Sequence, residues 1–195
     1  TRRSSDLLMK LITDTQSKNT QSKRNRSMFI VFGTPGIGKT FFAFYWLYQR
    51  MKERKPVLFE YQGTCFCWSP DGDVYVVDDK KVAIMTTHPG MLYLADTRKD
   101  ICFPPSCLTI LFSSPQSSKF HDFQKSGAEM RVMPLWTMEE LEIARVGLYG
   151  EQFPKTRVDA VVSFYGNIPR YALDRAYNRP DFANWTQRQD RKSVV

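Results

Sequence analysis

Short apolar runs bounded by turn residues recur along the chain and set its elements. Ser27–Phe32, Pro56–Gln62, Leu92–Asp96 and Leu108–Ser114 are each a few residues long and mostly apolar, which predicts buried strands. Thr64–Trp68 and Val74–Val77 are rich in β-branched and aromatic residues and flank Ser69-Pro70-Asp71-Gly72-Asp73, so they predict a β-hairpin. Thr40–Tyr48 continues past the first strand as a buried, aromatic helix, and that strand–helix–strand order predicts a parallel sheet. Before it, Leu7, Leu8, Leu11 and Ile12 have helical spacing, whereas Thr13–Arg26 is polar and reads as a loop. Beyond the central runs, Lys119–Lys125 predicts a short helix and Met130–Trp136 a last strand. Thr137-Met138-Glu139-Glu140 has the form of a capping box and starts a helix over Met138–Leu148. Two further helical segments, Lys155–Tyr165 and Pro169–Tyr177, are separated by Gly166-Asn167. The chain therefore divides into a helix with a basic polar segment (1–26), an α/β core (27–136) and a small helical part (137–195).

Between the first strand and its helix lie Gly33, Thr34, Pro35, Gly36, Ile37, Gly38, Lys39 and Thr40, a full match to G-x-x-x-x-G-K-[ST]. Glycines let successive backbone N–H groups turn toward phosphate oxygens at the positive end of the helix. The lysine then reaches the β- and γ-phosphates and the threonine hydroxyl ligates Mg²⁺. Strand, loop and helix in this order predict a nucleoside triphosphate cradle in a P-loop NTPase fold: a central, mainly parallel sheet flanked by helices, with an inserted β-hairpin. No Asn-Lys-x-Asp sequence occurs, which favours adenine over guanine, so ATP with Mg²⁺ is the expected pair.

Such a cradle needs a carboxylate at the end of a neighbouring strand to hold the metal. Two runs compete: Val74–Asp79 ends in Asp78 and Asp79, and Leu92–Asp96 ends in Asp96. The first is the return arm of a hairpin, and its two aspartates read as an exposed turn flowing into Lys80 and Lys81. The second precedes another buried strand, so Asp96 is favoured.

Charge changes the picture only at the ends. The net charge is +8 over 195 residues. Residues 1–26 carry seven basic and two acidic groups and residues 170–195 six and three, so the middle of the chain is balanced. Basic ends allow nucleic-acid contact through phosphates, although their spacing among Ser, Thr, Asn and Gln fits solvated tails. Cys65, Cys67, Cys102 and Cys107 lack the spacing of a zinc framework and read as reduced, structural thiols, with Cys65 and Cys67 on one face of a strand. No apolar stretch is long enough to span a membrane, and none is expected to bind one.

From Phe32 to Ala176 the chain resembles the P-loop ATPase domain of the Crinkler effectors of oomycetes and some fungi, which is similar to the retrotransposon-hot-spot proteins of trypanosomes. The resemblance rests on the cradle, on Leu92–Asp96, on Ser114-Pro115 after a strand, and on Met133–Leu141 ahead of Gly166-Asn167-Ile168-Pro169-Arg170-Tyr171. It implies that Asp96 is the Walker B carboxylate, that Ser114 occupies a sensor position near the γ-phosphate, and that Arg170 is a second sensor meeting the phosphates. It also implies secretion, delivery into a host cell and action in the nucleus, with ATP turnover powering or gating an attached domain. Two departures stand out. Asn167 replaces the second glycine of a pair, and asparagine tolerates left-handed backbone. Thr97 stands where related ATPases place a water-activating glutamate, so hydrolysis is expected to be slow unless Asp78, Asp79 or Glu60 supplies a base. A nucleotide-gated interaction module without turnover, nucleic-acid binding by the basic ends, and a homo-oligomer that completes the site are the alternatives.

Overall fold

Strands that are apolar on both faces can be stable only if both faces of the sheet are covered, and this demand organises the fold. The computed structural model describes residues 3–21, 28–96, 106–115 and 121–179. In chain order these form α1 (Arg3–Gln21), β1 (Met28–Phe32), α2 (Lys39–Lys52), β2 (Val57–Tyr61), β3 (Thr64–Trp68), β4 (Val74–Val77), α3 (Asp79–Met85), β5 (Leu92–Asp96), β6 (Leu108–Ser113), α4 (His121–Lys125) and β7 (Glu129–Val132). They are followed by α5 (Met138–Tyr149), α6 (Lys155–Tyr165), a π-helical segment (Arg170–Arg175) and α7 (Ala176–Asn178).

The sheet has the order β4-β3-β2-β5-β6-β1-β7. β2, β5, β6, β1 and β7 run parallel, while β3 and β4 return antiparallel along one edge. The architecture is thus α/β with a mostly parallel mixed sheet, and the hairpin is an extension of its edge. Every residue of β5 and β6 is buried. One face carries Met28, Ile30, Leu58, Tyr93, Ala95 and Leu111 in a single apolar cluster. Against the other face α2 lays its aromatic side, with Phe42 edge-on to Phe112 at 6.0 Å and Phe44 against Phe59 at 5.0 Å. Each side chain so buried contributes roughly 1.5–3 kcal/mol. Cys65 and Cys67 share the buried face of β3, as their spacing predicts, and Cys107 is buried as well; Cys102 lies outside the described residues.

Packing divides the chain into two units. Ser5–Gly33 and Lys39–Met133 belong to the first, which holds the whole sheet. Thr34–Gly38 belongs with the described residues of Pro134–Val195 in the second, whose core is built by Leu141, Phe153, Val158, Val161, Ala172 and Leu173. The capping box is present in both directions: Thr137 Oγ1 accepts from the Glu140 amide, and the Glu140 carboxylate accepts from the Thr137 amide.

Three elements depart from expectation. α1 runs on to Gln21, because Thr13, Thr15 and Ser17 turn their hydroxyls back onto the Met9, Lys10, Leu11 and Thr13 carbonyls and so stay within the helix. Residues after Asp78 form α3 instead of a turn: Asp78 is its N-cap, accepting from the Lys81 amide at 2.8 Å, and Val82 supplies the buried anchor. The last strand ends at Val132 instead of Trp136, since only Phe29–Phe32 of β1 are there to pair with it.

Candidate functional site

The loop between β1 and α2 follows the C-terminal end of β1, which is paired on both sides, by β6 and β7, and strand C-terminal ends are where open α/β sheets present their binding crevice. Gly36 and Gly38 have φ of +86° and +104°, conformations that L side chains rarely adopt. On the first unit's side of the loop, Lys39 Nζ donates to the Gly33 carbonyl at 2.7 Å. One residue on, Thr40 Oγ1 donates to Asp96 Oδ2 at 2.7 Å, across 56 positions of sequence. Strand alternation explains this meeting. Asp96 is in register with Phe112, whose ring receives Phe42, so the last residue of β5 faces α2 as Phe112 does.

Asp96 is only 7% exposed. Burial pushes its carboxyl above the usual aspartate range, and the Thr40 hydrogen bond and the Lys39 charge pull it part of the way back. A hydroxyl and a buried carboxylate beside an ammonium group suit a hard divalent cation together with an anion. Two oxygen ligands suffice for such a cation, because Mg²⁺ keeps most of its waters.

β6 lies between β5 and β1, and Ser113 is paired with Phe32, the last residue before the loop. Its hydroxyl donates to the Ser114 carbonyl at 3.1 Å. The Ser114 hydroxyl is buried and has no hydrogen-bond partner among the described residues. Buried polar atoms in folded proteins are almost always satisfied, so an orphaned hydroxyl where β6 leaves the sheet marks a place for water or a ligand.

The loop apex is held within the second unit. The Arg170 amide donates to the Gly36 carbonyl at 3.4 Å, and a Cβ built on Gly36 would stand 2.7 Å from Arg170 Cβ. Trp136 Nε1–H donates to the Ile37 carbonyl at 2.8 Å. Asn167 Nδ2 in turn donates to the Trp136 carbonyl at 2.7 Å, and the Trp136 amide to the Asn167 carbonyl at 3.3 Å. Arg170 is thus beside the apex with an exposed side chain. Asn167 does not adopt a left-handed backbone: Gly166 takes that conformation, with φ of +69°, and Asn167 serves through its side chain. Trp136 was not expected to matter. In the sequence it stands inside the Met133–Leu141 stretch and directly precedes the capping box, which fixes its place at the start of α5 without giving it a role.

The competing carboxylates lie elsewhere. Asp78 and Asp79 are exposed at the sheet edge, where Asp78 caps α3. Glu60 is buried in β2, and accepts from the Tyr93 hydroxyl at 2.5 Å. It is in register with Ala95, whose side chain points to the face opposite Asp96. Thr97 lies outside the described residues. The middle of α1 lines a groove of about 690 Å³ with Pro56, Met91 and Leu108. Those residues precede or begin β2, β5 and β6, the end of the sheet opposite the loop. Of the basic ends, residues 3–21 and 170–179 are described and the rest are not. No described helix is long and apolar enough to cross a membrane.

No family model matches the chain. It is similar to Crinkler effector protein 16 of Phytophthora infestans, 28% identical over 159 residues, which cover 77% of this chain and 25% of the relative. It is also similar to Crinkler effector protein 15 of the same organism, 29% identical over 152 residues, or 74% of this chain and 24% of the relative. The chain spans about a quarter of the length of the curated relatives it matches.

Proposed function

We propose that this chain is a P-loop ATPase module that binds ATP with Mg²⁺, hydrolyses it slowly, and serves a secreted effector acting inside host cells, in the nucleus. The observation that carries the nucleotide reading is the Thr40–Asp96 hydrogen bond directly behind Lys39, because it joins cradle, helix and a strand-end carboxylate at one point. The effector reading rests on the similarity to the Crinkler effectors.

Thr40 and Asp96 would hold Mg²⁺, which neutralises charge on the β- and γ-phosphates. Lys39 would leave the Gly33 carbonyl for phosphate oxygens and stay with them as charge develops. Ser114, through its orphaned hydroxyl, would orient the attacking water, and Arg170 would approach the phosphates from the loop apex. Water activation is the weak step: Asp78 and Asp79 are remote exposed residues, Glu60 faces away from Asp96, and Thr97 cannot remove a proton at neutral pH. That deficit favours slow turnover, and it gives a second reading, a nucleotide-gated interaction module, its specific support. A homo-oligomer that donates the missing base, and nucleic-acid contact through the basic ends, remain further proposals for the longer protein.

Calorimetric titration of ATP with Mg²⁺ into wild type and Lys39→Ala tests the binding claim. Wild type binds, and the variant loses roughly 100-fold in affinity, the effect of two charge-assisted hydrogen bonds. Equal affinity in the two proteins would sink the reading. Phosphate release then separates the two functions: a wild-type rate no higher than that of Lys39→Ala leaves only the gated module.

A further inference from the structure

The loop apex is fixed from outside by two donors, the indole N–H of Trp136 and the amide of Arg170. A trans peptide is planar, and its C=O and N–H point in opposite directions. Holding the Ile37 carbonyl against Trp136 therefore aims the Gly38 N–H away from Trp136. Holding the Gly36 carbonyl against Arg170 fixes the preceding peptide, whose own N–H, on Ile37, is committed to the Thr34 carbonyl at 3.2 Å. The apex is thus locked as a turn with one amide directed out of it, and the φ of +104° at Gly38 is the backbone consequence.

Behind Trp136 stands a second tier. Its own backbone is paired in both directions with Asn167, and the next residue, Thr137, begins a helix closed by a reciprocal capping box. The backbone that carries the indole is thus fixed at a capped helix start and to a neighbouring turn. A neutral hydrogen bond of this kind has a modest net worth in stability, but an amide already pointed at its ligand needs no reorganisation when the ligand arrives.

We infer that Trp136 is a positioning residue for the phosphate cradle: its indole N–H presets the Ile37–Gly38 peptide so that the Gly38 amide meets a phosphate oxygen, with Asn167 holding the Trp136 backbone in place. This rests on the proposal that the loop binds a polyphosphate. Trp136 touches no reacting atom and acts only through the loop.

The test uses inorganic tripolyphosphate and ATP, each with Mg²⁺, on wild type, Trp136→Phe, and a protein carrying benzothienylalanine at position 136, which keeps the shape of the indole and lacks its N–H. Both altered proteins bind each probe about five- to tenfold more weakly, and the equal loss for tripolyphosphate places the effect at phosphate and not at the base. The benzothienyl protein melts, free of ligand, within a degree or so of wild type. Should Trp136→Phe fail to fold, the benzothienyl protein decides. Unchanged affinity for both probes in a folded protein lacking the indole N–H overturns the positioning role while leaving the ATP reading intact. A wild type that binds neither probe overturns both. A lower melting temperature with unchanged affinity of the folded protein assigns Trp136 to packing alone and also overturns the inference.

Discussion

Two strands of this protein share nearly the same spelling and have opposite fates. β4 reads Val-Tyr-Val-Val and is followed by Asp78 and Asp79; β5 reads Leu-Tyr-Leu-Ala-Asp and ends on Asp96. β4 sits at the sheet edge with Val74, Tyr75 and Val76 exposed, whereas every residue of β5 is buried between β2 and β6. The carboxylates follow their strands. Asp78, in water, does a local task by capping α3, and Asp96, out of water, is bonded to Thr40 and is held above its usual pKa range by burial. A carboxylate becomes a site when the fold withholds solvent from it and supplies a partner from elsewhere in the chain.

The comparison can be broken at four points. The largest effect is expected in packing: Leu94→Ala in β5 lowers the unfolding free energy by about 3 kcal/mol in a denaturant titration, whereas Val76→Ala in β4 changes it by less than about 0.5 kcal/mol. Similar values for the two would mean that the edge and centre of the sheet are not distinguished. Next is the metal. Asp96→Asn weakens the affinity for ATP with Mg²⁺ roughly 30-fold, about 2 kcal/mol, and removes the advantage that Mg²⁺ gives, while Asp78→Asn stays within about twofold of wild type. A Mg²⁺ effect abolished by Asp78→Asn would reverse the assignment. Then comes the cap: Asp78→Ala costs about 1 kcal/mol of stability and leaves ATP affinity unchanged, with chemical denaturation and calorimetry as the paired measurements.

The smallest effect is in pH. Because burial raises the carboxyl of Asp96, the folded protein binds its proton more tightly than the unfolded chain. That stabilising contribution is fully present below the ordinary aspartate pKa and is lost as pH rises through the raised value of Asp96. Ligand-free Asp96→Asn therefore melts about 2–4 °C higher than wild type at neutral pH, and the gain shrinks on acidification. A gain that grew as pH fell would show that Asp96 is not destabilised by its burial.

Much of this was legible in order. The cradle from Gly33 to Thr40 is local chemistry, since glycines, lysine and threonine act within one turn of the chain. The capping box at Thr137 and the hairpin around Asp71-Gly72 are local in the same way, and both stand where their residues predict. α3 was missed although Asp78 is an ordinary N-cap, because a helix of seven residues has too few turns to display a period. α1 was cut short because hydroxyl residues read as loop unless it is known that they bond back to their own helix. The burial of Glu60 is not legible in this way: it comes from β5 arriving alongside β2, with Tyr93 thirty-three positions away.

Short-range order along the chain determined most of the strands and helices, and the place and residue types of the glycine-rich turn from Gly33 to Thr40. Sequence context favoured Asp96 over Asp78, but only tertiary structure set its burial and its hydrogen bond to Thr40. Tertiary structure also decided that Trp136 and Asn167 brace the turn from about a hundred positions downstream. The reason is that dehydration and hydrogen-bond direction are properties of neighbours in space, and no spacing along one strand encodes which strand will lie beside it.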